Sequence, residues 1–230
     1  MLRIGGLTPL STTDWPGMLA AVVFCQGCPW RCGYCHNPGL IPPHGEHEVC
    51  WESVIEFLQR RRDLLDGVVF SGGEPTLQSG LDDAIRDVRA LGFKIGLHTG
   101  GMYPQRLESI LQRVDWVGMD VKAPFPDYAR ITGTPGSGAR VQSSLKLILA
   151  SGVAYEIRTT VHPALLADED VLAIAADLAA RGVKHYVVQA FRSQGCQDEM
   201  LLQSNTREQP LTALGSDMGH RFESFSVRAY

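Results

Sequence analysis

The sequence predicts an α/β fold, an incomplete (β/α)6 barrel of parallel strands with outer helices, on three observations. Between about residue 18 and residue 192, short β-branched runs alternate six times with stretches of helical periodicity. The strand runs are almost continuously apolar, as strands covered on both faces by helices are. At 230 residues the chain is also shorter than the roughly 250 of a closed eightfold barrel. A doubly wound open sheet shares this alternation and stays open as an alternative, because strand order is not written in the sequence. No linker or low-complexity run interrupts the pattern. Residues 1–230 therefore read as one domain, with a core over about 18–192 and a C-terminal extension over 193–230.

The elements follow in order. "AAVVFC" (Ala20 to Cys25) is the first strand, and the next helix carries Val54, Phe57, Leu58, Arg61 and Leu65 on one mostly apolar face. "GVVFSGG" is the second strand, followed by a helix with Leu81, Ile85 and Val88. "FKIGLHTGG" is the third, followed by Leu107, Ile110, Leu111 and Val114 at i, i+3, i+4 and i+7. "WVGMDVKAP" and a helix through Val141, Leu145, Ile148 and Leu149 come next. "YEIRTTVHP", a helix through Val171, Ile174, Ala175 and Leu178, and "HYVVQAF" complete the six. "LTALGSDMGHRFESFSVRAY" is expected to add a short helix and an edge strand.

Bulk properties exclude some classes of function. A 44% hydrophobic and 20% charged composition is that of an ordinary globular protein, and a net charge of −4 lacks the basic footprint of a nucleic-acid binder. No apolar run reaches the ~18–20 residues of a membrane span, and the N-terminus has no export pattern. A cytoplasmic location, with no membrane partner, is the expectation.

In such folds function gathers at the C-terminal ends of the strands, and there this chain places its unusual residues. The strands end in turn at the cysteines, "SGGEP", "HTGG", "MDVKAP", "RTTVHP" and "QAFRSQGC". Four of the six cysteines fall in "FCQGCPWRCGYCHNP". In a reducing compartment so tight a group points to metal rather than to disulfides. Cys28, Cys32 and Cys35, spaced C-x3-C-x2-C, can each take one iron of a cubane cluster and leave a fourth iron open to a substrate. The competing reading is a structural zinc site made by all four cysteines, although such sites usually draw on two separated knuckles. Cys50 and Cys196 lie apart from the group and are not expected to be ligands.

The cysteine loop with an aromatic residue, Tyr34, before its last cysteine, followed by "GGEP" at the next strand end, resembles the radical S-adenosylmethionine superfamily. The wider text "TTDWPG", "FSGGEPTLQ", "MDVKAP" and "RTTV" is similar to the activating proteins of anaerobic ribonucleoside-triphosphate reductase, a branch related to pyruvate formate-lyase activating enzymes. The resemblance implies a 4Fe-4S cluster on Cys28, Cys32 and Cys35 whose open iron is chelated by S-adenosyl-L-methionine. It implies that Gly72, Gly73 and Glu74 meet the methionine ammonium and that Tyr34 contacts the adenine. Lys122 is expected to meet the methionine carboxylate with Asp120 on the same strand face, and His162 to reach the ribose or the methionine end. Arg158 and Gln189 point to the same rim. Related activases hold a monovalent cation with an Asp and Thr after one strand and an Asp after the next; here the positions are His98, Thr99 and Asp120, so one acid is missing. Cys25 is expected to pack beside the cluster without ligating it. The implied partners are a glycyl radical enzyme, in this branch the anaerobic reductase, and an electron donor such as flavodoxin or ferredoxin. A radical enzyme acting on a small molecule, or a non-catalytic zinc or iron–sulfur binding module, are the alternatives.

Overall fold

The computed structural model describes residues 2–204 and 211–228. Its frame is one eight-stranded sheet whose strands lie side by side in chain order. Strand β1 is Ile4–Ser11 and β2 is Ala20–Cys25, paired antiparallel. Helix α1 (Trp51–Gln59) leads to β3 (Gly67–Gly72), α2 (Leu81–Ala90) to β4 (Lys94–Thr99), and α3 (Pro104–Ile110) to β5 (Trp116–Asp120). Two helices, α4 (Tyr128–Thr132) and α5 (Ser137–Ser151), precede β6 (Ala154–Val161). Then come α6 (Asp168–Ala180), β7 (His185–Ala190), α7 (Glu199–Gln203), α8 (Leu211–Met218) and β8 (Ser224–Arg228).

Every pair from β2 to β8 is parallel. A doubly wound sheet would reverse direction partway along its order, so the sequential order identifies the partial barrel. Among the described residues β1 and β8 do not pair, leaving the barrel open along one side. The six expected strands and the terminal helix and edge strand are present, whereas β1, α4 and α7 were not anticipated. Helix α1 also ends earlier than its apolar spacing implied. Arg61 and Leu65 lie beyond its last residue, Gln59, in a turn where Asp63 takes a left-handed φ of 64°.

Alternation along the strands divides the side chains between an outer core under the helices and the barrel interior. Leu97, Val117 and Ile157 belong to the outer core, and the interior floor is a separate small cluster of Trp15, Ala20, Val22, Val69 and Trp116. Trp15, from the loop after β1, stacks on Trp116 with ring centroids 5.8 Å apart and closes the bottom of the barrel. Above that floor the inward positions turn polar: Ser71, His98, Asp120, Arg158, Thr160 and Gln189 all line one cavity.

Candidate active site

The cysteine loop is folded back on itself by its own backbone. Gly27 N donates to Leu40 O at 2.8 Å, Cys28 N to Ile41 O at 3.0 Å and Cys35 N to Cys32 O at 3.0 Å. The buried Gln26 amide holds the far side through Gly39 O (3.0 Å) and Pro42 O (2.7 Å). The glycine turn after β3 fastens to this loop because the β2–β3 register sets Cys25 opposite Gly72. Gly73 N donates to Cys25 O and Glu74 N to Gly27 O, each at 2.9 Å. Only glycine fits there: Gly72 has φ +106°, and a Cβ on Gly73 would stand 2.3 Å from Gly27 O.

Together these loops and the strand ends enclose a cavity of about 490 Å³, within the range of a small-molecule site. Cys28, Cys32, Cys35, Tyr34, Gly72, Gly73, Thr99, Asp120 and Lys122 all line it. Cys25 does not; it is 0% exposed and belongs to the outer core. The donor set facing the cavity is therefore three thiols, which fits a cluster with one open iron. Among the described residues no three Cys, His, Asp or Glu side chains are gathered tightly enough to hold a single metal ion. Burial pushes the Cys28 thiol up to about 12 and raises Cys32 as well. Thiolates here need positive charge close by, which iron would bring and Lys122 augments. His36 Nε2, on the same wall, is buried without a hydrogen-bond partner among the described residues, as expected of a wall built to meet a bound group.

Two expected contacts are corrected. Glu74 is fully buried, and its carboxylate accepts from Thr76 N (3.0 Å), Thr76 Oγ1 (2.5 Å), Thr99 Oγ1 (2.8 Å) and Gly100 N (2.9 Å). It ties the turn after β3 to the turn after β4 and is not on the cavity wall, so only Gly72 and Gly73 of that motif offer acceptors to an ammonium there. His162 is also 0% exposed and off the wall. Its Nε2 donates to Leu201 O at 2.8 Å, its Nδ1 accepts from Ala164 N at 3.1 Å, and its ring meets Phe191 edge-on. It braces the segment after β7 that packs on the cysteine loop, where Phe191 stacks on His36 and Cys196 Sγ lies 3.6 Å from Gly33 O. Cys50 is the exposed residue before α1.

Tyr34 is 4% exposed, and Lys122 Nζ lies 5.5 Å from its ring centroid. Burial alone would push Lys122 towards neutrality, but Tyr34 and Asp120 hold its pKa well above the ordinary lysine value. Asp120 accepts from Lys122 Nζ (3.3 Å) and from Arg158 Nε (3.0 Å), so despite its burial the carboxyl stays far below the usual range. Arg158 and Gln189 are on the wall as expected. Sequence reading missed Asp14, Trp30, His36, Met102, Arg192 and Arg228, which also line the cavity. Asp14 and Trp30 lay inside motifs already singled out, while nothing local marks Arg228.

This geometry, three cavity-facing thiols beside a glycine turn at the mouth of a partial barrel, matches what the comparisons show. The sequence profile of the radical SAM superfamily covers residues 22–178, and the chain belongs to that superfamily. Within it, the chain belongs with the glycyl-radical-enzyme activating enzymes and is an enzyme of that class. A protein of Methanocaldococcus jannaschii provisionally assigned as such an activating enzyme is 30% identical over 205 residues, 85% of this chain and 82% of the relative. The pyruvate formate-lyase-activating enzyme of Clostridium pasteurianum is 35% identical over 171 residues, 72% of this chain and 71% of the relative. Among solved structures, Streptococcus suis SuiB bound to its precursor peptide SuiA superposes with TM-score 0.66 at 14% identity, over 91% of this chain. A domain of a Bacteroides vulgatus pyruvate-formate lyase-activating enzyme gives 0.54 at 15%, over 70% of this chain and 98% of its own. These two share the fold. The chain spans about half the length of the SuiB structure. Superfamily membership implies the 4Fe-4S cluster and S-adenosylmethionine. Among the described residues no helix is long and apolar enough to cross a membrane.

Proposed function

We propose that the protein installs a glycyl radical on anaerobic ribonucleoside-triphosphate reductase. The observation that carries the chemistry is the division of the cysteines: Cys28, Cys32 and Cys35 face the cavity, while Cys25 is in the core. When bound, the cluster would supply one electron, received from a flavodoxin- or ferredoxin-type donor, for the reductive cleavage of S-adenosylmethionine, and with a hydrogen atom taken from a glycine Cα the products would be methionine, 5′-deoxyadenosine and the glycyl radical.

The chain's own residues bind and orient. The three thiolates hold the cluster. The Gly72 and Gly73 backbone accepts from the methionine ammonium, which can approach because neither residue carries a side chain. Lys122, kept protonated beside Asp120, meets the methionine carboxylate. Tyr34 completes the wall towards the adenine, and Thr99 lines the same cavity. The open side between β1 and β8 leaves room for a loop of a protein substrate.

The reductase is favoured as partner by the similarity of "TTDWPG" and "RTTV" to that branch. In the fold these stretches supply Asp14 and Trp15 at the cavity and barrel floor and Arg158 and Thr160 on the wall. The test is anaerobic incubation of the reconstituted enzyme, S-adenosylmethionine and a reductant with a panel of glycyl radical enzymes, read by electron paramagnetic resonance. A glycyl doublet on the reductase is expected. A doublet confined to a pyruvate formate-lyase would reassign the partner.

A further inference from the structure

The monovalent cation implied by the resemblance does not fit the residues present. Of its three expected ligands, one is replaced by His98 and the other two are already engaged. Thr99 Oγ1 donates to Glu74 and accepts from Gly101 N at 2.9 Å. The two Asp120 oxygens face Arg158 and Lys122. His98 uses both ring nitrogens: Nδ1 accepts from Ser71 Oγ at 3.1 Å and Nε2 donates to Asp14 O at 2.7 Å, with Arg158 Nη1 standing 3.1 Å from Nε2. With both nitrogens engaged, the imidazole that stands in place of the missing acid brings no negative charge to an ion.

We propose that the Arg158 guanidinium takes the place of the inorganic cation, neutralising Asp120 from inside the barrel, so that S-adenosylmethionine binds without a monovalent metal ion. The fold makes room for that group. The β5–β6 register sets Asp120 opposite Arg158, and Nη2 donates to Gly118 O at 3.3 Å. Gly118 lies on the same inward row, where a Cβ would come within 2.9 Å of Arg158 Nη1 and 3.0 Å of Cζ. Arg158 is only 9% exposed, so its charge is held at one place. Two fixed cations on one carboxylate repel a third. Asp120 then sets the height of Lys122, making Arg158 a positioning residue for the cosubstrate whichever protein partner is served.

The experiment compares the S-adenosylmethionine dissociation constant of the reconstituted protein in potassium, sodium and choline chlorides at equal ionic strength. The melting temperature of the ligand-free protein is followed in the same salts. Both are expected to be independent of the cation, the dissociation constants agreeing within about twofold, whereas Arg158→Met should weaken binding about tenfold by leaving Lys122 as the one cation on Asp120, drawn to the carboxylate and away from the cosubstrate. Arg158→Lys keeps the charge and guards against a folding defect, since it should stay within about threefold of the wild type. A wild-type affinity that falls about tenfold when choline replaces potassium would overturn the proposal. So would equal losses in the Met and Lys variants, which would assign the effect to shape rather than charge.

Discussion

At the scale of single residues, burial divides chemically similar groups between different tasks. Cys25 and Cys28 are three positions apart, yet one packs under the helices and the other lines the cavity. Cys28→Ala should abolish S-adenosylmethionine cleavage. Cys25→Ala should retain the brown cluster at near wild-type iron content, with at most the ~1–2 kcal/mol loss of a small buried side chain, measurable by iron assay and urea unfolding. His98 provides a pH signature. Its ring is pushed down to about 4 in the fold against about 6.5 unfolded, so the unfolded chain binds more protons between those values. Stability should therefore fall as pH drops from 6.5 to 4, by up to about 3 kcal/mol, and His98→Gln should flatten that slope in urea titrations. Asp120, held low by its two cations, acts with the same sign but below that window.

At the scale of elements, the site depends on how neighbouring turns are fastened. Glu74 is read from the motif as a ligand to the cosubstrate, but its four donors make it the clamp between the turns after β3 and β4. Glu74→Gln would set amide hydrogens against donors and should cost about 2–3 kcal/mol of stability even without cofactors, measured by chemical unfolding. A stability unchanged from wild type would remove it from that role. The strands of the core were legible because "AAVVFC" and "GVVF" are apolar without a break. By contrast β1, "IGGLTPLS", has two glycines and a proline and a partner register broken twice, so no period marks it as a strand. The helical spacing to Leu65 was real, but three arginines and a left-handed Asp63 end α1 before its apolar face does. His162 follows a strand end where cavity residues are expected, yet it turns to the Leu201 carbonyl, a partner 39 residues away that no local pattern records. The cysteine spacing and the glycine turn were legible because their chemistry is local. The Asp120–Arg158 pair was not, because it joins adjacent strands through a register that only the fold sets.

At the scale of the whole molecule, a short chain builds a half-open barrel whose floor is plugged by Trp15 and whose polar interior opens on one rim. That shape suits an enzyme that must admit part of another protein, and under the proposed function hydrogen would pass from a glycine of the partner to the 5′-deoxyadenosyl group of the cosubstrate. The most direct measurement uses anaerobic reductase labelled with Cα-deuterated glycine and follows the mass of the 5′-deoxyadenosine released as the glycyl doublet grows. One deuterium gained per radical formed is the result predicted. Unlabelled 5′-deoxyadenosine accumulating with no doublet would contradict it.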